Sequence, residues 1–341
     1  MNKKLLFLFW APLFAFNLIG GQSYYLLSVK EYQGTEKLFV VKPGEGFGSV
    51  NYRLHKEGLN SSKKLLYQYA KLRGLLTKIK VGAFRIQPGT SSIDVLHTLI
   101  YGSPELDQVT VPEGMNMYQV GKILEDKEIT TYKKFLAACK DKTFLNKIGI
   151  SAKTAEGYLY PDSYKFIKDT PAKTIIKAMY RTFKKKTKQL DFQSSPLTRH
   201  EIIILASVVE KETGASFERP QIAGVFHNRL KKRMRLQSDP TTIYGIYENF
   251  NGNLRKKHLL EKTPYNTYTI PALPIGPISN PGLEAIRAVL SPANHSYLYF
   301  VSQNDGTHVF TKTYKDHLKA VAKYQLNRKN RKGKSWRDLK Q

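Results

Sequence analysis

The sequence of 341 residues contains a single cysteine, which excludes two common means of stabilising a small core. Cys139 cannot form an internal disulfide, and one thiol cannot supply the paired ligands of a zinc ribbon. The residue ends the apolar stretch Phe135-Leu136-Ala137-Ala138-Cys139. A lone thiol in such surroundings is usually a small hydrophobic core residue, so we expect Cys139 to be buried.

Acidic residues are scarce compared with basic ones, at 27 Asp and Glu against 55 Lys and Arg. The resulting net charge of +28 favours a polyanionic partner, which can be nucleic acid, an anionic membrane surface or an acidic polymer. Charge alone does not choose among these three. A hydrophobic content of 41% argues against a disordered chain and for real cores.

The sequence also lacks the usual signatures of metal, serine-hydrolase and nucleotide sites. It has no H-E-x-x-H pair, no G-x-S-x-G elbow and no phosphate-binding P-loop. Its histidines are scattered without metal-ligand spacing, at His200, His227, His258, His295, His308 and His317. We therefore expect neither a metal ion nor a cofactor.

The N-terminus indicates the compartment. Two lysines precede an apolar run from Leu5 to Ile19, which continues more weakly to Val29. Residues 5–29 can span a hydrocarbon core of roughly 30 Å, and no convincing small-x-small cleavage site follows. The lysines orient residues 1–4 to the cytoplasm and the rest of the chain to the outside. A removed signal peptide is the alternative; both place the chain away from nucleic acid.

Strand and helix signals divide the rest of the chain into two regions and a tail. Residues 37–103 follow the order strand, two helices, strand, helix, which suits one modest core. Residues 108–325 begin with a strand and continue through amphipathic helices. Residues 326–341 form a basic tail that can touch anionic lipid or polymer. We predict an α+β fold with an N-terminal membrane helix, a small module and a larger mixed α/β region.

One helix in the second region is unusually apolar. Thr198 and Glu201 have the spacing of a capping box, which predicts a helix start. The residues from Ile202 to Val209 are almost all aliphatic, so the helix should be buried on most sides. Gly214 provides the stop signal.

Two acidic residues, Glu210 and Glu212, stand at the end of this helix. Helical residues two apart point about 200° apart, so one acid should face a cleft and the other solvent or a structural partner. Small residues, Ala206 and Ser207, precede Glu210 by one turn and would leave space for a ligand there. On these residues alone, two solvated acids paired with Lys211 are the alternative.

Two later stretches offer side chains suited to sugars. Gln237 and Asp239 supply donors and acceptors, although Asp-Pro-Thr is also a common turn. Tyr265, Asn266 and Tyr268 combine aromatic faces with an amide, although such a stretch is as often a packed loop. A glycan site is thus one interpretation of both stretches.

Three further elements are expected towards the end of the chain. Residues 273–282 are too rich in Pro and Gly for a regular element and predict a rigid loop wall. Residues 284–290 predict a helix. Residues 297–301 and 307–311 predict two strands of a hairpin, joined through Asn304-Asp305-Gly306.

In the order of its motifs the chain resembles the endolytic murein transglycosylases, the YceG-like family. The motifs are Ala206-Ser207-Val208-Val209-Glu210-Lys211-Glu212-Thr213, Glu218-Arg219, Val225-Phe226-His227-Asn228-Arg229-Leu230, Met234-Arg235-Leu236-Gln237-Ser238-Asp239-Pro240-Thr241, Tyr265-Asn266-Thr267-Tyr268, Leu273-Pro274, Gly276-Pro277-Ile278, and Gly306 with His308 and Phe310. They lie within residues 197–317. Ile275 departs from an expected proline, which affects the shape of the groove, and Ser238 replaces a threonine but keeps the hydroxyl.

The resemblance implies a function and a set of site residues. Glu210 is implied as the single catalytic acid, and the residues implied to line a glycan cleft are Gln237, Asp239, Tyr265, Asn266 and Tyr268. Residues 37–103 resemble a LysM-like module, and residues 108–325 resemble the catalytic region. The implied substrate is the peptidoglycan glycan strand, with peptidoglycan synthases as partners and a single-pass anchor in the inner (plasma) membrane.

The implied reaction needs one acid and no water. Glu210 would protonate the glycosidic oxygen between N-acetylmuramic acid and N-acetylglucosamine, and would then deprotonate the attacking C6 hydroxyl. The product end is a 1,6-anhydro sugar. That the cut falls within nascent strands, and terminates their polymerisation, follows from the resemblance alone. A non-catalytic peptidoglycan-binding envelope scaffold and a basic nucleic-acid-binding protein are the competing interpretations.

Overall fold

A computed structural model describes residues 20–326, in which short strands alternate with many helices. Within these residues no helix combines the length and the apolar character needed to cross a membrane. The predicted span at residues 5–29 lies for the most part outside the described residues. The predicted basic tail, apart from Leu326, also lies outside them.

The chain divides into two compact units. The first contains the chain up to Gln108 together with residues 127–130 and 165–171. The second contains residues 109–126, residues 131–164 and the chain from Ala172 onwards. Each unit is therefore assembled from more than one stretch of sequence.

The first unit is built on an antiparallel strand pair with helices between its strands. Its elements are β1 (Lys37–Val41), α1 (Phe47–Lys56), α2 (Lys63–Leu72), β2 (Gly82–Ile86) and α3 (Ser92–Tyr101). The register of the pair runs from Lys37 opposite Ile86 to Val41 opposite Gly82. Alternate strand residues such as Phe39 and Phe84 enter a core shared with the apolar faces of the helices. The predicted strands and helices of residues 37–103 are thus confirmed.

The second unit is largely helical, with a small hairpin before its last helix. The short strands β3 (Asp107–Thr110) and β4 (Ser163–Phe166) pair with each other. The other elements are α4 (Met117–Asp126), α5 (Tyr132–Cys139), α6 (Lys142–Ile148), α7 (Ala172–Lys186), α8 (Arg199–Glu212), α9 (Arg219–Lys231), α10 (Asp239–Gly245), α11 (Lys256–Leu260), α12 (Leu283–Leu290), β5 (Tyr299–Ser302), β6 (His308–Thr311) and α13 (Tyr314–Val321). The predicted hairpin is confirmed, with Ser302 opposite His308. Cys139 is fully buried, as expected.

Helix α8 lies at the centre of the second unit. The capping box forms as predicted, because Thr198 accepts from the Glu201 N–H and the Glu201 side chain accepts from the Thr198 N–H. Every residue from Ile202 to Glu210 is buried, since α8 packs against α9, α10 and α12. The helix ends at Glu212, where Thr213 turns the backbone to an extended conformation. Glu210 and Glu212 both lie in this last turn of α8.

Some elements differ from the predictions. The Asp239-Pro240-Thr241 segment is the first turn of α10, with proline in a position where its missing N–H costs nothing. The turn interpretation of this segment is therefore wrong. Helices α6, α11 and α13 were not predicted either, because short helices carry little periodic signal. Residues 273–282 are irregular, as expected.

Candidate active site

The last turn of α8 gives its two acids different surroundings. The side chain of Glu210 is only 4% exposed. Glu210 Oε1 accepts a hydrogen bond from Arg219 Nη2 at 2.7 Å, and Oε2 accepts one from the Gly282 backbone N–H at 2.9 Å. The Glu210 carboxylate therefore joins α8 to the start of α9 and to the loop that leads into α12.

A second acid, Glu113, shares the guanidinium group of Arg219 with Glu210. Glu113, whose side chain is 46% exposed, accepts from Arg219 Nη2 at 3.4 Å. Burial raises the pKa of Glu210, while the Gly282 N–H and Arg219 oppose this rise and Glu113 adds to it. Gly282 lies so close to Glu113 that a Cβ there would overlap the Glu113 carboxylate. Glu210, Glu113, Arg219 and Gly282 therefore form a closely packed cluster that is held by its own hydrogen bonds.

The small residues before Glu210 make room for part of the protein itself. The Ser207 hydroxyl accepts from the Ile278 N–H at 3.0 Å, and the Ser279 hydroxyl donates to the Ser207 carbonyl at 3.1 Å. The Pro- and Gly-rich loop of residues 273–282 thus packs directly on this face of α8. At Ser207 the space expected for a ligand is occupied by this loop.

Glu212 instead borders an open pocket of about 380 Å³. The pocket is lined by Glu212, Arg229, Leu236, Gln237, Asp239, Tyr268, Tyr299, Phe300, Tyr314 and His317. Burial raises the pKa of Glu212 to about 7, and the nearby negative charge of Asp239 acts in the same direction. The Ser238 hydroxyl, which donates to Glu212 Oε1, and the charge of Arg229 oppose this rise. The pocket therefore contains a carboxyl group that is partly protonated near neutral pH.

Three of the predicted glycan-cleft residues line the same pocket. The Tyr268 hydroxyl donates to Asp239 Oδ1 at 2.7 Å. Gln237 has a left-handed backbone, with φ of 52°, and its side-chain oxygen lies 3.4 Å from Arg229 Nη1. Arg229 is fixed in turn by the carbonyls of Leu236 and Leu298, at 2.8 and 2.7 Å. The polar groups of the pocket are thus held in place before any ligand binds.

The other two predicted residues, Tyr265 and Asn266, lie outside the lining of this pocket. Asn266 is fully buried, and its amide donates to three backbone carbonyls of the α11 segment. Its side-chain oxygen accepts from the Thr242 hydroxyl and the Tyr268 N–H, at 2.9 and 3.0 Å. The Tyr265 ring packs edge-on against Tyr244, with centroids 4.8 Å apart. Asn266 therefore shapes the loop that carries Tyr268.

The C-terminal hairpin and helix supply pocket residues that were not predicted. Tyr299 and Phe300 come from β5, and Tyr314 and His317 come from α13. Arg229 lies over the Tyr299 ring at 5.3 Å. The motif containing Gly306, His308 and Phe310 pointed to this segment, but nothing in the local sequence indicates that it folds over Glu212.

A fully buried carboxyl group, Glu156, was also not predicted. It accepts from the Met117 N–H, the Tyr244 hydroxyl and the Asn280 amide at 2.8 to 3.1 Å. Burial raises its pKa to about 8, although these donors and the Gly157 N–H oppose the rise. Glu156 is enclosed by the protein, so its role is to organise the loops around it. Within residues 20–326, no cluster of three or more histidine, cysteine or acidic side chains could hold a metal ion.

A carboxyl group with a raised pKa, facing a pocket of fixed polar and aromatic groups, is the arrangement expected in an enzyme that works by acid–base catalysis. The family follows from comparison with known proteins. The model of the YceG-like family matches residues 39–323, and the chain belongs to that family. A Bacillus subtilis (strain 168) protein named endolytic murein transglycosylase is 31% identical over 337 residues, which cover 92% of this chain and 93% of that protein.

Two more relatives extend the comparison. A Streptococcus pneumoniae (strain D39) protein with the same name is 29% identical over 346 residues, which cover 91% of this chain but 63% of the longer relative. A crystal structure of a yceG-like protein from Listeria monocytogenes has a TM-score of 0.57 at 27% identity, and covers 84% of this chain and 99% of that one. The fold and the sequence thus agree on the family.

Proposed function

We propose that this chain is an endolytic lytic transglycosylase of peptidoglycan and that Glu212 is its general acid and base. The enzyme cleaves the bond between N-acetylmuramic acid and N-acetylglucosamine and leaves 1,6-anhydro ends. The relatives' names support the activity. The observation that supports the residue is the position of Glu212 in the pocket, beside Asp239 and Tyr268.

Glu212 takes the role that the family resemblance implied for Glu210, for two physical reasons. A general acid has to reach the glycosidic oxygen and has to be protonated near the working pH. Glu212 borders an open pocket and has a pKa near 7, whereas both oxygens of Glu210 are occupied by Arg219 and Gly282. We assign Glu210 to the support of this end of α8.

The reaction uses the Glu212 carboxyl group twice, first as an acid and then as a base. Protonated Glu212 donates to the glycosidic oxygen as the bond to the anomeric carbon breaks. The substrate's own acetamide stabilises the cationic centre. The Glu212 carboxylate then removes the proton of the C6 hydroxyl, whose oxygen bonds to the anomeric carbon. No water enters the products, so a second carboxylate that activates water is not required.

The five predicted cleft residues divide into two roles in this proposal. Gln237, Asp239 and Tyr268 contact the glycan directly, because their polar groups line the pocket. Tyr265 and Asn266 act indirectly, by shaping the loop that carries Tyr268. Substitution of Asn266 should therefore reduce stability and activity together.

The assignment is tested by comparing two matched variants, Glu212→Gln and Glu210→Gln. Each removes one carboxyl group from the same helix turn with little change in shape. We expect Glu212→Gln to lose anhydro-muropeptide release, by about 100-fold or more, while keeping its fold. Glu210→Gln should lose stability but keep most of the rate of the folded protein. Mass spectrometry of the products of uncrosslinked glycan strands provides the measurement.

The opposite pattern, with Glu210→Gln inactive and Glu212→Gln active, would return the catalytic role to Glu210. A wild-type protein that binds glycan but releases no anhydro ends would be the non-catalytic envelope scaffold. Circular dichroism and a urea melt on each variant separate a lost reaction from a lost fold.

We also propose that the chain is anchored in the inner (plasma) membrane by residues 5–29, with its catalytic region outside the cytoplasm. The apolar N-terminal run supports the anchor, and Lys3 and Lys4 before it support this orientation. The strand–helix–helix–strand order from β1 to β2 supports a LysM-like module in the first unit. Peptidoglycan synthases are proposed partners, because nascent strands are released where these enzymes work.

A further inference from the structure

The pocket contains a histidine that the proposed reaction does not use. His317, on α13, lines the pocket with Glu212. Its ring stacks on that of Tyr299, with centroids 5.2 Å apart and planes at 24°, and also approaches Tyr314 at 6.2 Å. The imidazole is therefore held in one orientation on an aromatic support.

One nitrogen of this ring is buried and has no hydrogen-bond partner among residues 20–326. That nitrogen is Nδ1 of His317. A buried N–H without an acceptor loses the hydrogen bond that water would give it, so the favoured neutral tautomer carries its hydrogen on Nε2. The hydrogen-bond donor of the ring is then Nε2, which is not buried in this way.

The neutral form of His317 is favoured for independent reasons. Burial lowers the pKa of His317, and the positive charge of Arg229 acts in the same direction. The titratable and charged groups that line the pocket with His317 are Glu212, Arg229, Asp239, Tyr268, Tyr299 and Tyr314. Protonation would also place a second unpaired N–H at the buried Nδ1 position.

We propose that His317 is a substrate-binding residue, whose Nε2–H donates to an oxygen of an N-acetylated sugar bound in the pocket beside Glu212. The sugar ring packs against the exposed ring of Tyr314, which lines the same pocket, in the manner in which aromatic faces bind the apolar faces of pyranoses. This inference rests on the proposed function, because it assumes that the pocket takes a glycan.

Two substitutions separate hydrogen bonding from packing. His317→Gln keeps an amide N–H close to the position of Nε2, and His317→Phe keeps the stacking on Tyr299 but removes the donor. We expect KM for uncrosslinked glycan strands to rise about tenfold in His317→Phe, with a small change in kcat, and to stay within about threefold of wild type in His317→Gln.

A spectroscopic measurement applies even if His317→Phe does not fold. In histidine-labelled Glu212→Gln protein, the nitrogen resonances of His317 should show the Nε2–H tautomer, and the Nε2 signal should shift when glycan strands are added. An unshifted signal in a protein that binds the strands would overturn the inference, as would wild-type KM in a folded His317→Phe variant or equal losses in both variants. If the wild type neither binds nor cleaves the strands, the proposed function itself fails.

Discussion

Glu210 and Glu212 are two residues apart and have opposite physical roles. Each oxygen of Glu210 accepts a hydrogen bond from the protein, one from Arg219 and one from the Gly282 N–H, so this carboxylate has a structural role. Glu212 has one hydroxyl donor, Ser238, and an open pocket in front of it. A carboxyl group with spare bonding capacity, raised pKa and access is the one able to exchange a proton with a substrate.

The pKa of Glu212 predicts how the reaction depends on pH. Burial raises this pKa from 4.5 to about 7, so the proton needed for glycosidic cleavage is present below pH 7 and lost above it. We expect kcat/KM to decrease as pH rises through about 7, with a slope of about one decade per pH unit. Initial rates of anhydro-muropeptide release between about pH 4 and 9 measure this. An alkaline limb near pH 4.5 would mean that Glu212 is not the acid.

The pair of Glu210 and Arg219 predicts strong energetic coupling. Glu210→Leu leaves a buried guanidinium with only the half-exposed Glu113 as its charged partner, which should cost about 3–5 kcal/mol of unfolding free energy. Adding Arg219→Met removes the uncompensated charge and should recover much of this loss. Urea unfolding of both single variants and the double variant measures the coupling. Additive losses would mean that the two side chains do not depend on each other.

At the scale of elements, loops that meet α8 position the site. Asn280, in the Pro- and Gly-rich loop, accepts from the N–H groups of Gly157 and Leu159, both at 2.9 Å. Its amide donates to Glu156 and to the Met115 carbonyl. One buried amide and one buried carboxyl group thus bind three segments into a single support. The prolines of this loop predicted rigidity, but not these partners.

Close packing of two loops makes Gly157 sensitive to substitution. Gly157 has φ of +84°, and a Cβ there would lie 2.5 Å from Pro277 and 2.9 Å from Ile203. Gly157→Ala should therefore cost about 3 kcal/mol or more, since it adds a steric clash to backbone strain. Thermal and urea unfolding measure the loss.

Gly252→Ala is the matched control for this substitution. Gly252 has a similar φ of +87°, but no atom lies within 4 Å of the position that a Cβ would take there. Strain alone should cost about 1–2 kcal/mol at this residue. Equal losses in the two variants would show that the packing around Gly157 is looser than these distances indicate.

At the scale of the whole molecule, the proposed anchor predicts the location of the chain. The full chain should remain in the membrane fraction after carbonate extraction, because residues 5–29 would span the bilayer. A chain that begins at residue 31 should be released into the soluble fraction. Immunoblots of both fractions test this. A full chain that is extracted by carbonate would contradict the proposed anchor.

Several features of the protein could be predicted from the sequence. The capping box and the aliphatic run predicted α8, because local hydrogen bonds and burial depend on neighbouring residues. Alternation of apolar and turn residues predicted the hairpin, and the order of the motifs indicated the family. Gln237, Asp239 and Tyr268 were recognised as suitable for sugars from their chemistry, and they meet in one pocket.

Only the tertiary structure decided which acid faces the pocket. Helical geometry separates the directions of Glu210 and Glu212, but the partners on each side come from remote segments. Arg219 and Gly282 bind Glu210 on one side of α8. The hairpin and α13 line the open pocket next to Glu212 on the other side. The proton affinity of each carboxyl group depends on these long-range contacts, because burial and nearby charges set its pKa. His317 belongs to the same pocket for the same reason.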